Sequence, residues 1–284
     1  MTNPSSSGAV PARSWAGLSL ERPRVMGILN VTPDSFSDGG RHSDLARAVR
    51  AGLAMAQAGA DIIDVGGEST RPGAYPISPS LEQARVIPVI RELASAGLRV
   101  SVDTRNAATM RAALDAGATV VNDISALAHD PEAPPLVASR GCPVVLMHMR
   151  GTPQTMSSAA RYADVIAEVR RELAERVEAA LLAGTAPEQI CLDPGIGFAK
   201  AGKQNEALLR GLGTLAELGF PLLVGVSRKR FIGRLTAIEL PSGRLAGSLA
   251  AGLFALSHGA SILRVHDVPE TVQAIRVWHA LASA

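Results

Sequence analysis

Val25-Met26-Gly27-Ile28-Leu29-Asn30-Val31-Thr32-Pro33-Asp34-Ser35-Phe36-Ser37-Asp38-Gly39-Gly40 changes character halfway along. Its first half is apolar and shows no helical period, which reads as a strand buried on both faces. After Asn30 come a proline, two aspartates, several hydroxyl residues and a Gly-Gly pair. A run that polar does not pack into a core, so it reads as a long loop at the carboxyl end of a parallel strand. That is where α/β barrels assemble their sites.

The rest of the chain repeats the unit. Gly59, Gly97, Gly117, Gly141, Gly219 and Gly259 each stand between a helix-like segment and a short apolar run. Glycine past a helix end accepts the left-handed backbone that turns the chain back into a strand. With Val25–Asn30 and Ile190–Asp193, these runs make eight expected strands. Helical periodicity follows Ser43 and fills about Pro79–Ser95, 106–116, 162–183, 204–218, 244–258 and 268–282, with a weaker helix near 132–140. The alternation predicts one α/β domain over residues 23–284, a single (β/α)8 TIM barrel with long loops after strands 1 and 2. A doubly wound open sheet is the alternative, but no G-x-G-x-x-G follows the first strand.

Composition narrows the function. The 284 residues carry a formal charge of +2 and only 3% aromatics, with Lys and Arg scattered, so nucleic acid is not an expected partner. No apolar run approaches the ~20 residues of a membrane span. Cys142 and Cys191 flank buried runs and read as reduced core thiols, consistent with the cytoplasm. Residues 1–22 lack a signal-peptide core and read as a loose, flexible tail.

In a barrel the strand ends share one mouth. Here they are Asn30, Asp64, Asp103, Asn122, Met147-His148, Asp193, Ser227-Arg228-Lys229 and Arg264-Val265-His266. Asp103, Asn122 and Asp193 suit a flat heterocycle with adjacent N–H and amino donors, since each carboxylate oxygen accepts two bonds. Taken alone, Asp103 or Asp193 fits a helix cap equally well. Lys229 nearby would keep the carboxylates ionised and donate to the ring. Arg264 and His266, two residues apart, offer donors to an anion, and Asn30 offers a neutral oxygen to Mg²⁺ held mostly by water and phosphate. Phe198 stands where it can stack on a ring, and Met147 reads as a pocket wall. The glycine-rich Asp64–Gly73 segment is a second long loop, either functional or a plain excursion.

Together these residues resemble the dihydropteroate synthase family. The likeness runs through Asn30–Gly39, Gly67–Gly73, Ser101–Thr104, Val121–Asp123, Leu146–Met149, Asp193–Phe198, Ser227–Lys229 and Arg264–Val268, in family order. It implies a cytoplasmic homodimer in folate biosynthesis that joins para-aminobenzoate to 6-hydroxymethyl-7,8-dihydropterin diphosphate, using Mg²⁺. By the same resemblance, Asp103, Asn122, Met147, Asp193 and Lys229 hold the pterin, while Thr70, Arg264 and His266 hold its diphosphate. Asn30 is the Mg²⁺ ligand. Arg71, Pro72, Phe198 and Ser227 form the aminobenzoate side, where sulfonamides compete, and Asp34 and Phe36 close over the reacting carbon. The catalytic set implied is Asp34, Phe36, Lys229, Arg264 and His266. The chain departs from the family pattern at Ala199 and Ala201 and at Arg105. A pterin-binding methyltransferase domain and a non-catalytic pterin-binding paralogue are the competing readings. Neither needs both the Asn30–Gly40 loop and Ser227–Lys229.

Overall fold

The computed structural model describes residues 14–32 and 41–282. Ahead of the barrel, β1 (Ser14–Trp15) and β2 (Leu18–Ser19) form an antiparallel hairpin. Eight parallel strands follow: β3 (Arg24–Asn30), β4 (Ile62–Gly66), β5 (Val100–Asp103), β6 (Val120–Asp123), β7 (Val144–Met147), β8 (Ile190–Asp193), β9 (Leu223–Val224) and β10 (Ile262–Val265). Their order is β8-β7-β6-β5-β4-β3-β10-β9. The ends of that row meet through a parallel Leu192–Leu222 bridge, and Leu192 N donates to Pro221 O at 2.9 Å. This is the expected barrel, with helices packed around it.

Side chains of a strand alternate between its faces, so every second residue points inward. Met26, Ile62, Val120, Val145, Cys191, Leu223 and Ile262 form one buried cluster around Trp15. Two positions further along the same strands stand Ile28, Asp64, Asn122, Met147, Asp193, Gly225 and Arg264. The interior thus passes from apolar to charged in one pleat, about 6.6 Å. Gly66 sits against the polar side: a Cβ there would lie 3.4 Å from the Cβ of Asp103, in van der Waals contact with it.

The expectation of a loose tail over residues 1–22 fails for residues 14–22. Ala16 and Gly17 both take positive φ (50° and 69°), the turn that suits a two-residue hairpin. Trp15 is 1% exposed, and its Nε1 donates to Gln189 O at 2.8 Å. Burying an indole outweighs the Ser/Gly/Pro bias of the surrounding sequence. Residues 1–13 lie outside the described residues.

The helices also differ in detail from the periodicity. The segment expected at 204–218 is two helices, α6 (Gln204–Arg210) and α7 (Leu212–Ala216), broken at Gly211. A Cβ at 211 would sit 2.6 Å from Ile166 Cδ1, so the chain needs glycine where Ile166 packs. A further short helix, α8 (Arg230–Thr236), directly follows the Ser227–Lys229 turn. Both cysteines are buried and free.

Candidate active site

The floor of the site is an ion-pair cluster whose members lie far apart in the chain. Arg264 Nε donates to Asp64 Oδ2 at 2.6 Å, and its Nη2 donates to Asp103 Oδ2 at 2.6 Å. Asn122 Nδ2 donates to the same Asp64 oxygen at 3.0 Å. Asp64 is fully buried and its Oδ1 accepts no bond among the described residues. Burial pushes the Asp103 carboxyl up to about 7, against the pull of Arg264, and neighbouring Asp64 adds to the rise. The floor therefore offers, in Asp103, a carboxyl whose ionisation falls in the neutral range.

Beside it, Asp193 Oδ1 accepts from Gly195 N at 2.7 Å, and burial raises this carboxyl despite Lys229 nearby. The bond closes a turn; Lys203, not Asp193, precedes α6, and Asn106 precedes α3 (Ala107–Asp115). Neither aspartate caps the next helix. Lys229 donates to Ile196 O, and its Nζ stands 4.7 Å from the centre of the Phe198 ring. Burial pushes the Lys229 ammonium down to about 8, with Asp193 opposing. Arg228 supplies the local twist. Its φ of 59° is a left-handed conformation for a side chain with a Cβ. Bonds from Arg244 Nη1 to Arg228 O (2.9 Å) and from Arg228 N to Ser248 Oγ (2.9 Å) hold it there. Such strain persists only when its surroundings enforce it, and here it brings both neighbours, Ser227 and Lys229, to the cavity.

A cavity of about 1190 Å³ opens above the floor. Asn30, Thr70, Arg71, Pro72, Asp103, Phe198, Ser227, Lys229, Arg264 and His266 all line it, so ten of the sequence-expected residues meet in one place. Asn122, Met147 and Asp193 are buried within the barrel mouth but are not part of the cavity wall. His266 Nδ1 lies 3.0 Å from Ser227 Oγ. Burial and the cations Arg264 and Arg228 push the imidazole down to about 4, so it acts as a neutral hydrogen-bonding group. Asp34 and Phe36 lie outside the described residues.

Asn30 ends β3 at the cavity, and its carboxamide makes no hydrogen bond among the described residues. Among those residues no three His, Cys, Asp or Glu side chains gather as a metal cage. One free carbonyl oxygen at a mouth lined by Arg264, Lys229 and His266 fits a hard cation that takes its other ligands from phosphate and water.

Several residues that matter to this geometry had no role in the sequence reading. Asp64 stood in the series of strand ends without one; its signal was a carboxylate inside Ile62-Ile63-Asp64-Val65. Lys200, also on the cavity wall, approaches His148 Nδ1 at 2.9 Å, and His148 Nε2 approaches Glu172 Oε2 at 2.9 Å. Burial drives His148 down to about 4 and Lys200 down to about 7, so a neutral imidazole links the ammonium to the carboxylate. No spacing in the sequence announces this line, because its three members come from separate loops and a helix.

The chain matches the family described as pterin binding enzyme over residues 26–266. It is 50% identical over 268 residues to the dihydropteroate synthase of Escherichia coli K12, covering 94% of each chain. The solved Xanthomonas albilineans dihydropteroate synthase with 4-aminobenzoic acid superposes at TM-score 0.89 and 52% identity, covering 95% of this chain and 97% of that one. The same enzyme in complex with 7,8-dihydropteroate superposes at TM-score 0.86 and 50% identity, covering 94% and 96%. The Yersinia pestis dihydropteroate synthase with a sulfonamide drug does so at TM-score 0.89 and 46% identity, covering 94% and 97%. With its carboxylate floor and cationic cavity, the chain belongs to the pterin-binding enzymes and, among them, to the dihydropteroate synthase family.

Proposed function

We propose that the cavity joins para-aminobenzoate to 6-hydroxymethyl-7,8-dihydropterin diphosphate, giving 7,8-dihydropteroate and pyrophosphate in folate biosynthesis. The observation that carries this reading is the Asp64–Arg264–Asp103 cluster at the base of a cavity walled by Lys229 and His266. It offers acceptors for a pterin's N–H groups beside donors for its diphosphate. Relatives bound to 4-aminobenzoic acid, to 7,8-dihydropteroate and to a sulfonamide support it.

Each side chain then has a task. Asp103 accepts the adjacent ring and amino N–H groups, with Asn122, Met147 and Asp193 completing the pterin's surroundings. A pterin reaching Asp103 competes with Arg264 for the same oxygen. Arg264 thereby becomes available to the diphosphate, assisted by His266 and Thr70. Lys229 donates to the ring. Arg71, Pro72, Phe198 and Ser227 receive the aminobenzoate and, by the same logic, sulfonamides. Asn30 would hold Mg²⁺, which supplies charge neutralisation for a diphosphate leaving group.

In the reaction, the exocyclic carbon–oxygen bond to the diphosphate breaks early, and pyrophosphate departs with the electron pair. The arylamine nitrogen bonds to that carbon and releases one proton to solvent. Fixed donors aimed at the departing oxygens do most of this work, and no enzyme nucleophile is required. Asp34 and Phe36 belong to the loop that closes over the carbon and keeps water from it. The same reading takes the chain as a cytoplasmic homodimer. Its support is the two free thiols and the exposed apolar residues Leu235, Leu240, Val277 and Leu281.

The decisive assay is pyrophosphate release by the purified chain. Release is expected only when the pterin diphosphate and para-aminobenzoate are both present, with dihydropteroate formed in equal amount. Pterin binding without release would leave the methyltransferase domain and the binding paralogue standing.

A further inference from the structure

Arg105, which departs from the family pattern, takes no part in the steps above, yet it is buried between three loops of the mouth. Its Nε donates to Glu68 Oε2 at 3.2 Å and its Nη2 donates to Glu68 Oε1 at 3.3 Å, a two-pronged grip. Glu68 Oε1 also accepts from Ile77 N at 3.1 Å. One carboxylate therefore ties together the two ends of the segment that carries Thr70, Arg71 and Pro72. On its other side Arg105 is two residues from Asp103 and within electrostatic reach of Asp123, the neighbour of Asn122.

The surroundings of this grip are cross-linked by hydrogen bonds. Glu82 of α2 (Pro79–Ser95) takes bonds from Thr104 Oγ1 (3.0 Å), Asn106 Nδ2 (2.9 Å) and Thr109 Oγ1 (2.6 Å), which fixes the turn holding Arg105. Arg85 Nη1 holds Gly67 O at 2.8 Å. Between Glu68 and Ile77, by contrast, Arg71 and Pro72 are exposed, and among the described residues a single backbone bond, Gly73 N to Pro153 O at 2.9 Å, ties this stretch to the neighbouring loop. The position of this stretch depends on how Glu68 is oriented.

We propose that Arg105 is a positioning residue for the second substrate: its guanidinium orients Glu68, which sets the 68–77 loop so that Arg71 and Pro72 meet the aminobenzoate. The proposal rests on the reading that this loop faces the aminobenzoate. A guanidinium fork is required because a single ammonium satisfies only one prong.

The test uses the full chain with Arg105→Met and Arg105→Lys, each measured in two ways. Pterin alone is titrated by fluorescence, and steady-state pyrophosphate release is followed with each substrate varied. Arg105→Met is expected to raise the KM for para-aminobenzoate tenfold or more, with the pterin Kd within twofold and kcat within threefold of wild type. Arg105→Lys should fall between the two, a partial rescue that keeps the charge without the fork. Adding Glu68→Gln to Arg105→Met removes the unpaired buried charge, and the raised KM should persist. An aminobenzoate KM within twofold of wild type overturns the proposal. So does a pterin Kd that weakens in step with the KM, or loss of pterin binding in both variants, since Arg105 would then act on the fold as a whole. A wild-type chain that releases no pyrophosphate sinks the functional reading and this proposal with it, whereas normal wild-type turnover with an unchanged Arg105→Met sinks this proposal alone.

Discussion

The two ends of the barrel interior use the same strands and opposite chemistry. Toward the strand amino ends, Met26, Ile62, Val145 and Ile262 close around Trp15 as an apolar plug. One pleat further along stand Asp64 and Asp193, joined in a low-dielectric mouth by Asp103 at the end of β5 and Lys229 past β9. Carboxylates and ammonium groups resist such burial, and Asp103 near 7 and Lys229 near 8 record that resistance. The contrast teaches that this fold separates its apolar plug from its charged mouth by a two-residue step along strands such as β4, β8 and β10. Damage at one end should leave the other end's property intact.

The largest expected effect is at the charged end. Asp103→Asn keeps the shape of the side chain and removes the anion that, in the proposed function, accepts two pterin N–H bonds. Charge-assisted bonds contribute about 1.5–3 kcal/mol each, so pterin affinity should fall by roughly a thousandfold. Titration calorimetry reads this, while the melting temperature should move by only a few degrees. Normal pterin binding in this variant would remove Asp103 from the site. Trp15→Ala is the opposite experiment. A truncated buried aromatic costs about 3 kcal/mol, or about 6–12 °C in Tm at this chain length. Its kcat and both KM values should stay within twofold of wild type; a kinetic collapse in a still-folded variant would show that the two ends are coupled.

The charged end was far more legible in the sequence than the plug. Asp103, Asn122 and Asp193 each close an apolar run that follows a glycine or a turn, and parallel barrel topology then brings strand ends together whatever their separation in the chain. The plug lacks any such signal. A two-residue strand such as Ser14–Trp15 has no periodicity, and the burial of Trp15 depends on Gln189, 174 residues away. The split at Gly211 is equally hidden, because its cause is the packing of Ile166 from α5 (Val165–Leu182). Asp64 illustrates the limit within the site itself. Its place in a strand was visible, but its partner Arg264 lies 200 residues on, and only the closed barrel pairs them.

The pH profile sharpens the comparison with a smaller effect. In the proposed function the pterin is held by an ionised Asp103 and a protonated Lys229, so kcat/KM for the pterin should peak between about 7 and 8 and fall about tenfold per unit on either side. Stability follows the same groups with the signs reversed. Asp103 holds its proton to higher pH in the folded chain than in the unfolded one, so it lowers stability as pH rises from about 4 to about 7. Lys229 releases its proton earlier when folded, so its burial penalty is present below about 8 and relaxes as pH rises above that value. Activity measured across pH 6–9 beside thermal melts should show the two trends opposed below neutrality. The residual pterin binding of Asp103→Asn should lack the acid limb.

The smallest expected effect lies in the hairpin that carries the plug. Ala16 sits at φ 50°, followed by Gly17 at φ 69°, a turn that favours asparagine or glycine at its first position. An alanine Cβ in that region is unfavourable by about 1 kcal/mol, whereas asparagine tolerates it through its own short-range hydrogen bonds. Glycine would relieve the strain but add freedom to the unfolded chain, which offsets part of the gain. Ala16→Asn should therefore stabilise the protein by about 0.5–1 kcal/mol in denaturant titrations, with no change in pyrophosphate release. Because Ala16 adjoins Trp15 and lies at the far end of the barrel from Asp103, a gain in stability with unaltered kinetics is what independent ends require. A variant that was more stable but measurably slower would mean that the plug communicates with the mouth through the strands they share.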